Sequence, residues 1–179
     1  IMNNLVYEQI ILFISDLISE VEKSIKLLLK SEKTLLSFYK ILISIPGIGP
    51  VTAQHILVVT DGFKKICDYK SFACYVGIAP FARSSGTSIH YRPRTSKKAD
   101  QGLKANMHQG AISVIKQGQI FHSYYQQMIK RGKHHLWIIN SIMNMIAKCV
   151  FNLIKKMTEF DKEIFINSKK SWQENLVLS

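Results

Sequence analysis

Apolar residues recur every seven positions at the start of the chain: Tyr7, Ile14, Val21, Leu28, Leu35 and Leu42, with Ile11, Ile18 and Ile25 four places after the first three. A seam of this kind predicts one helix over residues 4 to 43, either half of a coiled coil or a long amphipathic helix lying on its own domain. Pro46, Gly47 and Gly49 end it. A new periodic segment starts at Pro50, where the fixed φ of proline suits the first helical position after a glycine turn. "DYKSFACYVGIAP", residues 68 to 80, reads as a short helix capped by Asp68 and closed by Gly77 and Pro80. Residues 99 to 116 regain the helical period, with Leu103, Met107, Ala111, Val114 and Ile115 on one side. Another helix is predicted over 119 to 130, and a long buried one over 134 to 157, whose Met and aromatic residues read as core. Past Glu159 polarity rises, leaving Trp172 and Leu176 as apolar anchors.

The fold class is therefore mainly α. Residues 1–43 form a coiled-coil-like oligomerisation helix, 44–157 a compact helical domain, and 158–179 a tail. One stretch breaks the helical pattern: "FARSSGTSIHYRPRTSKK", residues 81 to 98, carries five cationic side chains and no carboxylate. It reads as an extended basic loop, with Thr87 to Tyr91 briefly extended and Pro93 barring a regular central strand.

Composition narrows the partner. With 179 residues and 47% hydrophobic content there is enough apolar side chain for one domain and an appendage. Lys and Arg number 24 against 12 Asp and Glu, a net charge of +12, and between Asp68 and Glu159 the only carboxylate is Asp100. Such a surface favours a polyanion, nucleic acid first. No apolar run is expected to reach the roughly 18 to 20 residues of a membrane span. Three cysteines without Cys-x-x-Cys spacing argue against a disulfide framework or zinc ribbon and fit a reducing cytoplasm. The six histidines lack paired-ligand spacing, so no metal site is expected within this chain. A start at Ile1 without a signal-peptide pattern suggests a piece of something longer.

Two elements carry candidate chemistry. "SIPGIGPVTAQHILVVT", residues 44 to 60, resembles a helix-hairpin-helix, in which backbone N–H groups of Gly47, Ile48 and Gly49 and the next helix start contact a phosphate; an ordinary interhelical turn is the alternative. In the basic stretch, Ser84 and Ser85 are small hydroxyls among Arg83, Arg92 and Arg94, whose planar forks suit charge spread over phosphate oxygens. Gly86 lets the backbone approach a phosphate, and Thr87 and Ser88 add hydrogen bonds. The choice lies between a serine nucleophile on a phosphodiester and a loop hydroxyl on a passive, non-catalytic nucleic-acid-binding module. Lys97, Lys98, Lys104, Lys130, Arg131 and Lys133 are candidates for backbone contacts, or else a solvated charged face.

Five features in order, "IPGIGPVTA", "YKSFACYVGIAP", "SSGTS", "RTSKKADQGLK" and "KRGK", resemble the C-terminal region of the IS-one-ten (IS110) family of insertion-sequence transposases, with its IS-eleven-eleven branch. The resemblance spans roughly residues 40 to 156. It implies a DNA recombinase with an N-terminal RNase-H-like domain holding Mg2+ on acidic ligands, a coiled-coil spacer and a serine-bearing domain. Only the last two are recognisable in this sequence. It also implies DNA and a structured guide RNA as partners. The serine immediately before glycine falls on Ser85, with Ser84 as the fallback. Two departures stand out: Ser84 replaces a bulkier residue, and "ADQGLK" replaces the usual Gly-Asn and Leu-Arg pattern.

Overall fold

The computed structural model describes residues 2–79, 81–85, 89–94, 99–116 and 118–165, with side chains described for these apart from 2–5 and 81–94. The chain is mainly α and divides into two units, residues 1–37 and 38–179. Helix α1 spans Met2–Ser31, and α2, Lys33–Ser44, begins in the first unit and ends in the second.

The single helix expected over 4 to 43 is thus interrupted at Glu32. The break falls in the polar run Lys30-Ser31-Glu32-Lys33, where the Ser31 hydroxyl donates to the Leu28 carbonyl at 2.7 Å. Ser15 and Ser24 reach back four residues and the helix continues, whereas Ser31 reaches back three and competes for the last turn's acceptors. Along α1 the heptad residues Tyr7, Ile14, Val21 and Leu28 are exposed, as are Ile10, Ile11, Leu17 and Ile18. Leu42, the last member of the series, is instead a fully buried core residue of the second unit.

In that unit, α3 (Pro50–Thr60), α4 (Tyr69–Val76), α5 (Gln101–Ser113), α6 (His122–Lys130) and α7 (His135–Lys156) surround one core. α7 supplies its spine. Ile138, Ile139, Ile142, Met143, Ile146 and Val150 are buried at helical spacing and face α4 and α5, each worth about 1.5–3 kcal/mol when fully buried. By length and composition α7 could cross a membrane, contrary to the expectation from sequence, but its apolar face is this core. Trp137 departs from the core assignment: it is 52% exposed.

Several boundaries fall where local chemistry puts them. Asp68 accepts from the Ser71 amide and hydroxyl, which draws its carboxyl below the usual range. That cap therefore operates above the ordinary carboxylate pKa and is lost as pH falls through the lowered value. Gly77 closes α4 at φ +74, as a left-handed C-cap requires. After α3 three successive residues, Asp61, Gly62 and Phe63, have positive φ. The buried Thr60 hydroxyl holds this turn by donating to Ile56 O at 2.7 Å and accepting from Phe63 N at 3.1 Å. The Phe63 ring lies 5.4 Å from both Phe38 and Phe151, edge-on, so aromatic packing offsets the strain. Beyond α7, Phe160 N donates to the Ser44 hydroxyl at 2.8 Å and Phe165 packs on Phe160 and Phe121. Trp172 and Leu176 lie outside the described residues.

The basic stretch is not a loop throughout. Phe81–Ser85 (β1) and Ile89–Arg94 (β2) pair antiparallel, with Ser85 opposite Ile89, Ser84 opposite His90 and Arg83 opposite Tyr91. Ordering the ribbon takes ladder bonds that the loop reading left uncounted. Pro93 remains compatible, because it falls where the register shifts between Arg83↔Tyr91 and Phe81↔Arg94, in a two-stranded ribbon with no third strand to serve among the described residues.

Candidate nucleic-acid interface

The turn between α2 and α3 is positioned by contact with α5. Ile45 and Ile48 are buried, and their amides are used locally, Ile45 N to Leu42 O and Ile48 N to Ile45 O. Ile48 is therefore an anchor whose N–H is already committed. Gly47 has φ +89, and a Cβ there would meet Gly110 O at 2.9 Å. Gly110, in the last turn of α5, touches Gly47 so closely that a Cβ would stand 1.9 Å from Gly47 O. Two backbones meet with no side chain between them.

Beside this contact lies an open cleft of about 440 Å³ lined by Gly47, Ile48, Gly49, Thr52 on one side and Asn106, Gln109, Gly110, Ser113 on the other. Gly49 is the N-cap of α3 and offers no side-chain acceptor, and Pro50 follows it. The first-turn amides of α3 are thus left without a capping side chain, and the partial positive charge of the helix start faces an uncharged polar wall.

The described segments that flank the hairpin in sequence are tied to the helices. Ile78 O, just before it, accepts from Asn140 Nδ2 at 3.0 Å and Asn144 Nδ2 at 3.2 Å, both on α7. Tyr69 donates its hydroxyl to Asn144 Oδ1 at 2.7 Å, and burial raises the phenol above its ordinary pKa, with Cys74 adding to it. After the hairpin, Asp100 N donates to Tyr75 O at 3.0 Å, Asp100 Oδ1 caps α5 through Leu103 N at 2.8 Å, and Oδ2 sits 3.0 Å from His55 Nε2 on α3. No local sequence signal joins His55 to Asp100, which are 45 residues apart. Asp100→Ala removes a cap and a half-buried partner together, so it should lower stability by roughly 1–2 kcal/mol. Asp100→Asn keeps a capping oxygen and should lose less than half of that in chemical denaturation.

Among the sequence candidates, the structure places the backbones of Arg83, Ser84, Ser85, Arg92 and Arg94 in one ribbon. Gly86, Thr87, Ser88, Lys97 and Lys98 lie outside the described residues. Lys104 is half-buried on α5, while Lys130, Arg131 and Lys133 are exposed at the α6–α7 turn. Cys149, half-buried on α7, has its thiol pushed up to about 11 by burial and is chemically quiet. Among the described residues no group of three His, Cys, Asp or Glu is placed to hold a metal ion.

Residues 39–126 match the family described as "Transposase IS116/IS110/IS902 family". The chain is 29% identical over 152 residues to the "Pilin gene-inverting protein" of Moraxella lacunata, covering 84% of this chain and 47% of that protein. The Moraxella bovis protein of the same name is 28% identical over 152 residues, with the same coverage. A Streptomyces coelicolor protein described as "Insertion element IS110 uncharacterized 43.6 kDa protein" is 28% identical over 126 residues, 69% of this chain and 30% of that protein. The matched stretch is thus similar to the IS110 family of transposases, and the chain spans about half the length of the Moraxella relatives it matches.

Proposed function

We propose that this chain is the DNA-binding and serine-bearing part of a DNA transposase or recombinase, working in the cytoplasm on DNA with a structured guide RNA. The observation that carries the reading is the family match over residues 39–126, which contains both the glycine turn and Ser85. In this reading the Gly47-Ile48-Gly49 turn and the start of α3 act as a helix-hairpin-helix, with free amides bonding a backbone phosphate. Arg83, Arg92 and Arg94 gather on the scissile phosphate, and Lys97, Lys98, Lys104, Lys130, Arg131 and Lys133 hold flanking backbone.

The Ser85 oxygen attacks phosphorus and gives up its proton as the new O–P bond forms. One DNA ester bond breaks, and its oxygen departs with a proton to become a free hydroxyl. The phosphate stays a diester, now of serine, so a second DNA hydroxyl can reverse the step onto a new strand. Arginine forks stabilise the charge on the five-coordinate phosphorus. The magnesium that the family resemblance implies belongs, in this proposal, to acidic residues other than those described, and no step here depends on it.

The test is to trap the full-length protein on substrate DNA with its guide RNA under denaturing conditions and map the attachment. Recovery of DNA on a peptide containing residues 81–92 supports the proposal. Recombination without any protein-linked DNA overturns the serine step and leaves a passive nucleic-acid binder.

Assembly through α1 is a further part of the proposal. The exposed Tyr7, Ile11, Ile14, Ile18 and Val21 fall at seam positions of a heptad and support a homodimer. Ile14→Glu with Val21→Glu should convert a sedimenting dimer to monomer while leaving the thermal transition of the second unit unchanged. A wild type that already sediments as a monomer at tens of micromolar would reject this assignment.

A further inference from the structure

The turn between α6 and α7 combines exposed aromatic surface with concentrated positive charge. Residues 129 to 137, Ile-Lys-Arg-Gly-Lys-His-His-Leu-Trp, are all exposed, with Leu136 at 59% and Trp137 at 52%. The mounting is rigid. Gly132, at φ +73, lets Gly132 N reach Ile129 O at 2.8 Å and Lys133 N reach Met128 O at 3.1 Å. His134 caps α7 by accepting from Leu136 N, and the Tyr125 hydroxyl lies 2.9 Å from His135 Nδ1 with the two rings edge to face. Trp137 sits in the first turn of α7 next to Ile138 and Ile139, both fully buried, so its backbone belongs to the most firmly held helix of the unit. The Lys133 ammonium stands 5.4 Å from the indole centroid.

An exposed tryptophan alone is unremarkable on a protein surface. Here it is flanked by Lys130, Arg131 and Lys133, and the sequence holds no carboxylate between Asp100 and Glu159 to repel a polyanion. A partner must offer both negative charge and a flat apolar face. Duplex DNA hides its base faces in the stack; an unpaired base presents one. We infer that the α6–α7 turn is a stacking platform for single-stranded DNA, with Trp137 receiving an unpaired base and Lys130, Arg131 and Lys133 holding the adjoining phosphates. The choice of DNA rests on the function proposed above, in which strand exchange exposes unpaired nucleotides.

The chain has two tryptophans, so Trp172→Phe leaves Trp137 as the sole indole in the full chain. Titration with oligothymidylate at fixed salt should quench its fluorescence. Trp137→Ala should weaken single-strand binding by roughly 10-fold, the scale of one lost base–aromatic stack, change duplex binding by less than about two-fold, and leave the melting temperature in place. Trp137→Phe should recover most of the loss. No quenching, an equal loss on duplex, or failure of Phe to rescue would overturn the inference. Tighter binding of oligouridylate than oligothymidylate would assign the face to RNA instead, and self-association abolished by Trp137→Ala would assign it to a second copy of the chain. Normal duplex binding with an unaffected single-strand affinity in Trp137→Ala sinks this inference alone, whereas a well-folded chain that binds neither polymer sinks the proposed function as well.

Discussion

Gly110→Ala should destabilise the second unit by about 2–4 kcal/mol, although alanine is the better helix former by roughly 1 kcal/mol. The added methyl would sit 1.9 Å from the Gly47 carbonyl oxygen, and the obstacle is backbone on both sides, so no rotamer change relieves it. Either α5 moves away from the α2–α3 turn or the turn gives up its place beside the cleft. The melting temperature should fall by something like 5–15 °C for a chain of this size. Two neighbours act as controls. Gly49→Ala meets nothing within 4 Å and should leave stability unchanged, and Gly102→Ala meets only ordinary contacts near Asp100 and His55. If Gly110→Ala melts with the wild type, the close approach of turn and helix is wrong. Should the variant stay folded at low temperature yet bind duplex DNA many times more weakly, while Gly49→Ala binds normally, the position of the turn rather than its glycine content governs binding.

Much of the architecture was legible because it depends on neighbours in sequence. The Asp68 cap, the Gly77 stop, the Pro50 start and the spine of α7 follow from side-chain chemistry and period within a dozen residues. The features that escaped are set by tertiary contact. Gly110 reads as an indifferent helix residue until Gly47 is brought against it, and His55 and Asp100 become partners only when α3 packs beside the start of α5. The break at Glu32 has neither glycine nor proline to announce it, and a heptad pattern running through it pointed the other way. Trp137 has the spacing of a core residue one step from Ile138, yet lies just outside the buried arc of the helix. In the ribbon, alternation is weak and proline argues against a strand, so pairing of Ser85 with Ile89 was hidden in composition that reads as loop. For the candidate site, the serines and arginines were visible as residue types, while the long-range bonds of Asn140 and Asn144 to Ile78 were not.

Ser85→Ala should abolish protein-linked DNA and reduce recombination by on the order of 10³-fold or more, since removing a nucleophile leaves only binding and electrostatic stabilisation behind. Affinity for substrate should change little, because one hydroxyl among many cationic contacts adds little to phosphate binding. The split between lost chemistry and retained affinity is the informative result, as a misplaced ribbon would weaken both. Ser84→Ala separates the two adjacent hydroxyls: the register sets Ser84 opposite His90 and Ser85 opposite Ile89, one step further along the ribbon. Ser85→Cys retains a nucleophilic atom at that step and should keep residual adduct formation that Ser85→Ala lacks, with the new linkage through sulfur. An adduct undiminished in Ser85→Ala but lost in Ser84→Ala would move the nucleophile one step along the ribbon; an adduct surviving both substitutions would remove the hairpin from the chemistry and leave Arg83, Arg92 and Arg94 as anchors for a phosphate cut elsewhere.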